Sequence, residues 1–259
     1  MLIELIGPAG CGKTETARRA EAILREGGIE VLGFDRLEEL ESEIGTRSFR
    51  AYRRATRWRA TVGLLMKCPD IILPILFLSW LYGPEESTGT RARRERHAGR
   101  ALGHVRMALA LRRTAADRVV LMHEGFTQVL WTLLIDSPSL RAKGLIRFTL
   151  ARYHQRFRQL GVRLVVDDDT VMQRVFARDD KGRFNRDSSD QQRRDFPRWL
   201  EDHRALVAML PDGLIEAEVD GSGSSERVAG DLAAAVRSFM PLGQGLLRSA
   251  RQEAPSMIV

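Results

Sequence analysis

Cysteine is nearly absent from these 259 residues, with Cys11 and Cys68 as the whole supply. Two thiols cannot build a disulfide framework, and the expected compartment is a reducing cytoplasm. A long hydrophobic run is missing too. The most apolar stretch, Ile71 to Tyr82, has about twelve residues and contains Pro74, whereas a membrane-spanning helix needs roughly twenty. The chain enters a strand pattern at Leu2, which is read as leaving no room for a signal peptide. No internal repeat is present, and no excess of acid. The formal charge is +7 and the isoelectric point lies near 10.1. Such a balance suits nucleic acid, an anionic surface or phosphorylated substrates. The surplus is nearly all arginine, which can also follow from base composition, and no RNA- or DNA-binding motif accompanies it. Nucleic acid is therefore not the expected partner. With 44% hydrophobic residues, there is enough apolar material for a substantial core.

What is present starts at residue 2. Leu2 to Ile6 predict a short buried strand, and Gly7, Gly12, Lys13 and Thr14 complete the pattern G-x-x-x-x-G-K-[ST]. A helix is predicted to follow at once, from Thr14 to Leu24. Phosphate needs this order of parts. Glycines let the backbone curl so that successive N–H groups point inward, and the helix start adds unsatisfied donors and a positive dipole. Lys13 can reach the β- and γ-phosphates, and the Thr14 hydroxyl can ligate Mg²⁺. The expected nucleotide-binding residues are Gly7, Pro8, Ala9, Gly10, Cys11, Gly12, Lys13, Thr14 and Thr16. A disulfide at Cys11 would distort this loop, which again favours a reducing compartment.

Farther along, Gly27-Gly28 reads as a helix C-cap and Ile29 to Phe34 as a second strand closing on Asp35-Arg36. Leu37 to Ile44, Phe49 to Met66 and the basic run Arg91 to Thr114 read as helices, with Pro69 as an interruption and 83–89 as an exposed loop. A third strand is expected at Arg118 to Met122, ending on His123-Glu124-Gly125, and a fourth at Val162 to Val166 before Asp167-Asp168-Asp169. A polar, basic loop spans Arg178 to Arg186, a helix runs from Asp190 to Met209, and a fifth strand covers Leu214 to Val219. The last helix is expected at Ser225 to Phe239, followed by a flexible tail over 241–259. Strands alternating with helices predict an α/β fold: a P-loop NTPase three-layer sandwich with a five-stranded parallel sheet. Residues 37–117 are read as a helical, substrate-side insertion between strands two and three, and 174–190 as a lid, within one domain spanning 1–240.

An N-terminal P-loop, an acidic end to strand three and a late arginine-rich loop together resemble the thymidylate kinase-like nucleoside and nucleotide kinases. The run Ile215-Glu-Ala-Glu-Val-Asp220-Gly221-Ser222, followed by Ser225-Glu226-Arg-Val228-Ala229, is similar to that family's last strand and helix. The resemblance covers about residues 1–36 and 118–240. It implies a five-stranded parallel sheet and transfer of the ATP γ-phosphoryl group. The chain departs from the family after strand three, where His123-Glu124-Gly125-Phe126 has no arginine beside the acid. It also lacks the proline-containing substrate loop after Phe34-Asp35-Arg36.

Several residues are candidates for the chemistry. Glu124, at the tip of the strand expected beside the P-loop, is read with Thr14 as a metal ligand; the plain alternative is an exposed strand end. Asp35 stands where a base could accept the acceptor's hydroxyl proton, or is a turn residue paired with Arg36. Arg174 and Arg178 lie one helical turn apart, and with Lys181, Arg183 and Arg186 they read as a lid whose cations stabilise the transferring phosphoryl group. Arg178 is the first choice. Asp167 to Asp169 read as a loop start and helix cap. Arg53 and Arg54, among the aromatics of Phe49 to Trp58, could grip an acceptor phosphate or snorkel from a core helix. The apolar stretch 71–82 reads as a buried helix; the bolder reading is a greasy acceptor pocket or a shallow membrane contact supported by the basic helix 91–113.

The catalytic set expected is thus Lys13, Asp35, Glu124, Arg174 and Arg178, with Asp35, Arg36, Arg53 and Arg54 on the acceptor. The cofactors are ATP and Mg²⁺. The partner is a small-molecule acceptor, a nucleoside or nucleoside monophosphate by resemblance. A sugar or other hydroxylated metabolite is the second choice, and a slowly hydrolysing regulatory switch the third. A homodimer and a transient membrane contact stay open.

Overall fold

Every residue of β1, Leu2–Ile6, is buried, as the uninterrupted apolar run around Glu4 requires of a central parallel strand. The computed structural model describes residues 1–33, 57–80, 88–114, 118–135, 140–179 and 186–252. The sheet is completed by β2 (Val31–Gly33), β3 (Val119–Met122), β4 (Leu160–Val165) and β5 (Ile215–Asp220). Their order is β2-β3-β1-β4-β5, and every pairing is parallel, with Leu2 opposite Val120 and Ile3 opposite Leu160 in the register of β1. The α/β fold class read from the sequence is the one observed, with strand ends shifted by one or two residues.

Helices cover both faces. α1 (Lys13–Glu26) and α9 (Ser225–Gln252) pack together on one face, sharing a core with Ile3, Leu5, Leu121, Val162 and Leu164. The opposite face carries α5 (Phe126–Ile135), α6 (Leu140–Phe157), α7 (Asp168–Phe176) and α8 (Asp190–Val207). Between β2 and β3 the described residues form α2 (Arg57–Lys67), α3 (Pro69–Trp80) and α4 (Thr88–Thr114), which join that second core through Leu64, Ile71, Ile75, Ala101 and Val105. The expected helix at 37–44 and the start of the one at 49–66 lie outside the described residues. The strand order places β1 at a reversal. Its crossover to β2 passes over β3, while the crossover from β3 to β4 passes over β1. With right-handed crossovers, the two depart from opposite faces, and the crevice opens at the carboxyl end of β1.

Local signals decide where elements stop. Gly27 donates its N–H to the Ile23 carbonyl and Gly28 follows at φ +77°, which terminates α1 as expected. Ser189 and Gln192 form a reciprocal capping box at the start of α8. Asp167 caps α7 through the Thr170 N–H, with Asp168 and Asp169 in its first turn; that bond holds the Asp167 carboxyl below its ordinary range. The described part of the apolar stretch, 71–80, is helical and buried on its inner side, with Ile71, Ile72, Ile75 and Leu78 buried. One boundary is corrected. α9 continues past Pro241 to Gln252, where a tail was expected from 241 on. Among the described residues no helix is long and apolar enough to cross a membrane.

Candidate functional site

The loop between β1 and α1 folds as its glycines dictate. Gly10 and Gly12 sit at φ +91° and +93°, a region that L side chains rarely adopt. A Cβ on Gly10 would also fall 2.5 Å from Val175 Cγ2 and 2.9 Å from the Val171 carbonyl. The loop closes with Cys11 N–H donating to the Pro8 carbonyl at 3.4 Å. Lys13 turns back over it, and its Nζ donates to the carbonyls of Gly7 at 2.6 Å and Pro8 at 2.8 Å. Thr14 is exposed at the helix start, while Thr16 and Cys11 are buried behind it. A cradle of backbone with no room for side chains, beside one ammonium and a helix N-terminus, fits a polyphosphate in size and charge. Thr14 is the hydroxyl of this set that is open to a cation.

Arg174 comes to the same place from α7. Its Nη1 lies 3.9 Å from where a Gly12 Cβ would stand and donates to the Gly221 carbonyl at 3.1 Å. Gly221 in turn donates to the Val165 carbonyl at 2.8 Å, so the turn after β5 is stitched to the end of β4 and presses on the loop. Arg178, the first choice from sequence, lies one turn past Arg174, beyond the end of α7. Its carbonyl accepts from the Arg186 N–H at 2.9 Å. Lys181 and Arg183 lie outside the described residues. Asp35, Arg36, Arg53 and Arg54 lie outside them as well.

Glu124 is exposed in the turn that ends β3, directly beside β1. If it helps hold the metal, Glu124→Gln should lower turnover about tenfold and raise the Mg²⁺ concentration required, since one ligating charge is lost at constant volume. Unchanged turnover and unchanged metal dependence would make Glu124 a plain strand-end residue.

Two residues of this region were not singled out from sequence. Glu4 lies fully buried on the face of β1 that looks toward α5. Its carboxylate accepts the N–H of Thr127 at 3.3 Å, the N–H of Gln128 at 3.1 Å, the Thr127 hydroxyl at 2.9 Å and the amide of Gln159. It therefore caps α5 from outside that helix, immediately after Glu124 and Gly125. Burial pushes its pKa up despite these bonds. The Tyr153 hydroxyl and Gln159 Oε1, both buried nearby, have no partner among the described residues. A charged residue amid Leu2-Ile3 and Leu5-Ile6 was the available signal.

Gly125 is the counterpart of Glu4, because any Cβ there would overlap the Glu4 carboxyl. Gly125→Ala should cost about 2–5 kcal/mol of stability through overpacking and displaced hydrogen bonds. Chemical denaturation measures this, and an unchanged midpoint would contradict the capping role of Glu4.

The second is His203 of α8, buried, with the Lys13 ammonium of the loop among the charges near it. Its ring meets Trp131 edge-on at 4.9 Å. Burial, with Lys13 and Arg163 nearby, lowers its pKa to about 3. The imidazole is thus neutral at physiological pH. No sequence spacing pointed to it, since the contact joins residues far apart in the chain.

No protein-family model matches this chain, and no curated protein matches it. Among solved structures, it is similar to a shikimate kinase from Acinetobacter baumannii in complex with shikimate, with 17% sequence identity and a TM-score of 0.42. That alignment covers 91% of this chain and 92% of the other.

Proposed function

We propose that this chain is an ATP-dependent kinase that transfers the γ-phosphoryl group to a small hydroxylated molecule. One observation carries the reading. Two cations from separate elements, Lys13 of α1 and Arg174 of α7, converge on the glycine cradle of residues 7–12. A site that only bound phosphate could stop at the loop and its lysine. A second cation, delivered by a helix that leads into a basic loop, suits a group whose negative charge redistributes during transfer.

Bound ATP with Mg²⁺ supplies the phosphoryl group and a divalent charge. The chain's own residues do the rest. Backbone N–H groups of the loop and the start of α1 hold phosphate oxygens, Lys13 neutralises them, and Thr14 with Glu124 orients the metal. Arg174 and the Arg178–Arg186 segment close from α7 and exclude water. Asp35 is assigned the proton of the acceptor hydroxyl, with Arg36, Arg53 and Arg54 on the acceptor itself. A nucleoside or nucleoside monophosphate is the first acceptor to test, a sugar or another hydroxylated metabolite the second. The setting is a reducing cytoplasm, in keeping with two buried thiols.

Purified protein with γ-labelled ATP and a panel of nucleosides, nucleotides, sugars and other hydroxylated metabolites tests the reading. Multiple-turnover labelling of one acceptor supports it. Slow release of phosphate with every acceptor unlabelled would point instead to a regulatory nucleotide switch.

A further inference from the structure

On the side formed by α2, α3 and α6, large apolar side chains face solvent. Leu73 and Phe77, one turn apart on α3, are 54% and 48% exposed, Phe148 on α6 is 43% exposed, and Met66 near the end of α2 is 80% exposed. Leu73, Pro74, Leu76, Phe77 and Leu145 line an open groove of about 490 Å³ where α3 packs on α6. Single exposed apolar residues need no explanation, but a contiguous set marks a contact surface.

The charge on these three helices is mainly positive. α6 carries Arg141, Lys143, Arg147, Arg152 and Arg156 and no acid. Asp70 is the one acidic residue in α2, α3 and α6, and Arg152 and Arg156 both reach it, each at 3.9 Å. Arg152 also lies over the Phe148 ring, 5.3 Å from its centroid. Lys67 is exposed beside Met66. Cations are thus interleaved with the apolar side chains, and their nearest carboxylate is already engaged.

We propose that this face docks on an anionic lipid bilayer. A bilayer surface offers an apolar layer for Leu73, Phe77, Phe148 and Met66 and negative headgroups for Lys67, Arg147 and Arg152. A second copy of the chain would set the same positive charges against each other, and a nucleic acid backbone would leave the apolar side chains in water. The protein lies on the membrane rather than in it, since no described helix can span it.

Flotation with vesicles tests this. The full chain should float at low salt with phosphatidylcholine vesicles containing phosphatidylserine, and should stay behind with phosphatidylcholine alone or at high salt. Leu73→Ser with Phe77→Ser should lower the partition coefficient at least about tenfold, and Arg152→Glu about fivefold or more. Nucleotide turnover without vesicles should stay at the wild-type rate in both variants. These positions are exposed, so the unfolding midpoint should hold; if the double variant fails to fold, Arg152→Glu decides alone. Failure to float, equal flotation of wild type and variants, or equal binding to neutral vesicles overturns the proposal. So does light scattering that shows a dimer which the double substitution abolishes, because a second copy would then own the face. Flotation depends on no catalytic property, so it stands or falls independently of the kinase reading.

Discussion

Lys13→Ala is expected to cut phosphoryl transfer by at least about 10³-fold, because it removes a charge that faces the transferring group in a site with little competing solvent. The side chain is 9% exposed, and its Nζ bonds to the Gly7 and Pro8 carbonyls. Losing it therefore has a structural component as well, about 1–3 kcal/mol for two carbonyls left without that donor. The catalytic component is the larger: a 10³-fold loss corresponds to about 4 kcal/mol. The two are separable by experiment. Circular dichroism and thermal unfolding report the first, and turnover at saturating ATP, well below the unfolding temperature, reports the second. Turnover within a fewfold of wild type would show that the reacting nucleotide does not sit on residues 7–14.

Arg174→Ala should lower turnover about 10²–10³-fold while leaving ATP affinity within a fewfold. On the kinase reading, the loop, Lys13 and the start of α1 hold the ground-state phosphates, and an interaction made mainly in the transition state shows in turnover. Arg174 is placed for this by its whole element. Asp167 caps α7, Val171 and Val175 bear on Gly10, and the guanidinium is steadied by the Gly221 carbonyl at 3.1 Å. Arg174→Lys keeps the charge and gives up the planar fork, so partial recovery there would separate charge from geometry. Arg178→Ala should cost tens-fold, and trypsin should cut residues 178–186 more slowly when ATP and acceptor are both bound. Near-normal turnover in both alanine variants, with cutting insensitive to ligands, would move the stabilising cation to the 37–117 segment, with Arg53 and Arg54 next in line.

The parts of this site that sequence could show are those built from consecutive residues. Gly7 to Thr14 carry their own geometry, because positive φ needs glycine and a helix start needs donors. The cap at Asp167 and the ends of the strands are local in the same way. Arg174 and Arg178 could be read as a lid from their basic stretch after the fourth strand, though only the contacts of Arg174 with Gly12 and Gly221 ranked it above Arg178. Glu4 and His203 were illegible for the opposite reason. Glu4 is bonded to Thr127, Gln128 and Gln159, more than a hundred residues away, and His203 meets Trp131 from another helix. Pro241 misled for a third reason. A proline is a poor helix residue, but α9 already runs sixteen residues before reaching it, from Ser225, and an established helix carries one missing N–H.

β1 is secured only by segments far along the chain. β1 lies at the centre of the sheet, yet its neighbours are β3, with Leu2 opposite Val120, and β4, with Ile3 opposite Leu160. The apolar side of α1, with Ala17, Ala20 and Leu24, is covered by α9 through Val228, Leu232 and Val236. A nascent chain leaving the ribosome therefore carries its phosphate loop for most of its synthesis with neither sheet neighbour nor helix cover in place. Closing such distant pairs is entropically costly and slow, and an exposed strand edge on a tethered chain invites foreign pairing.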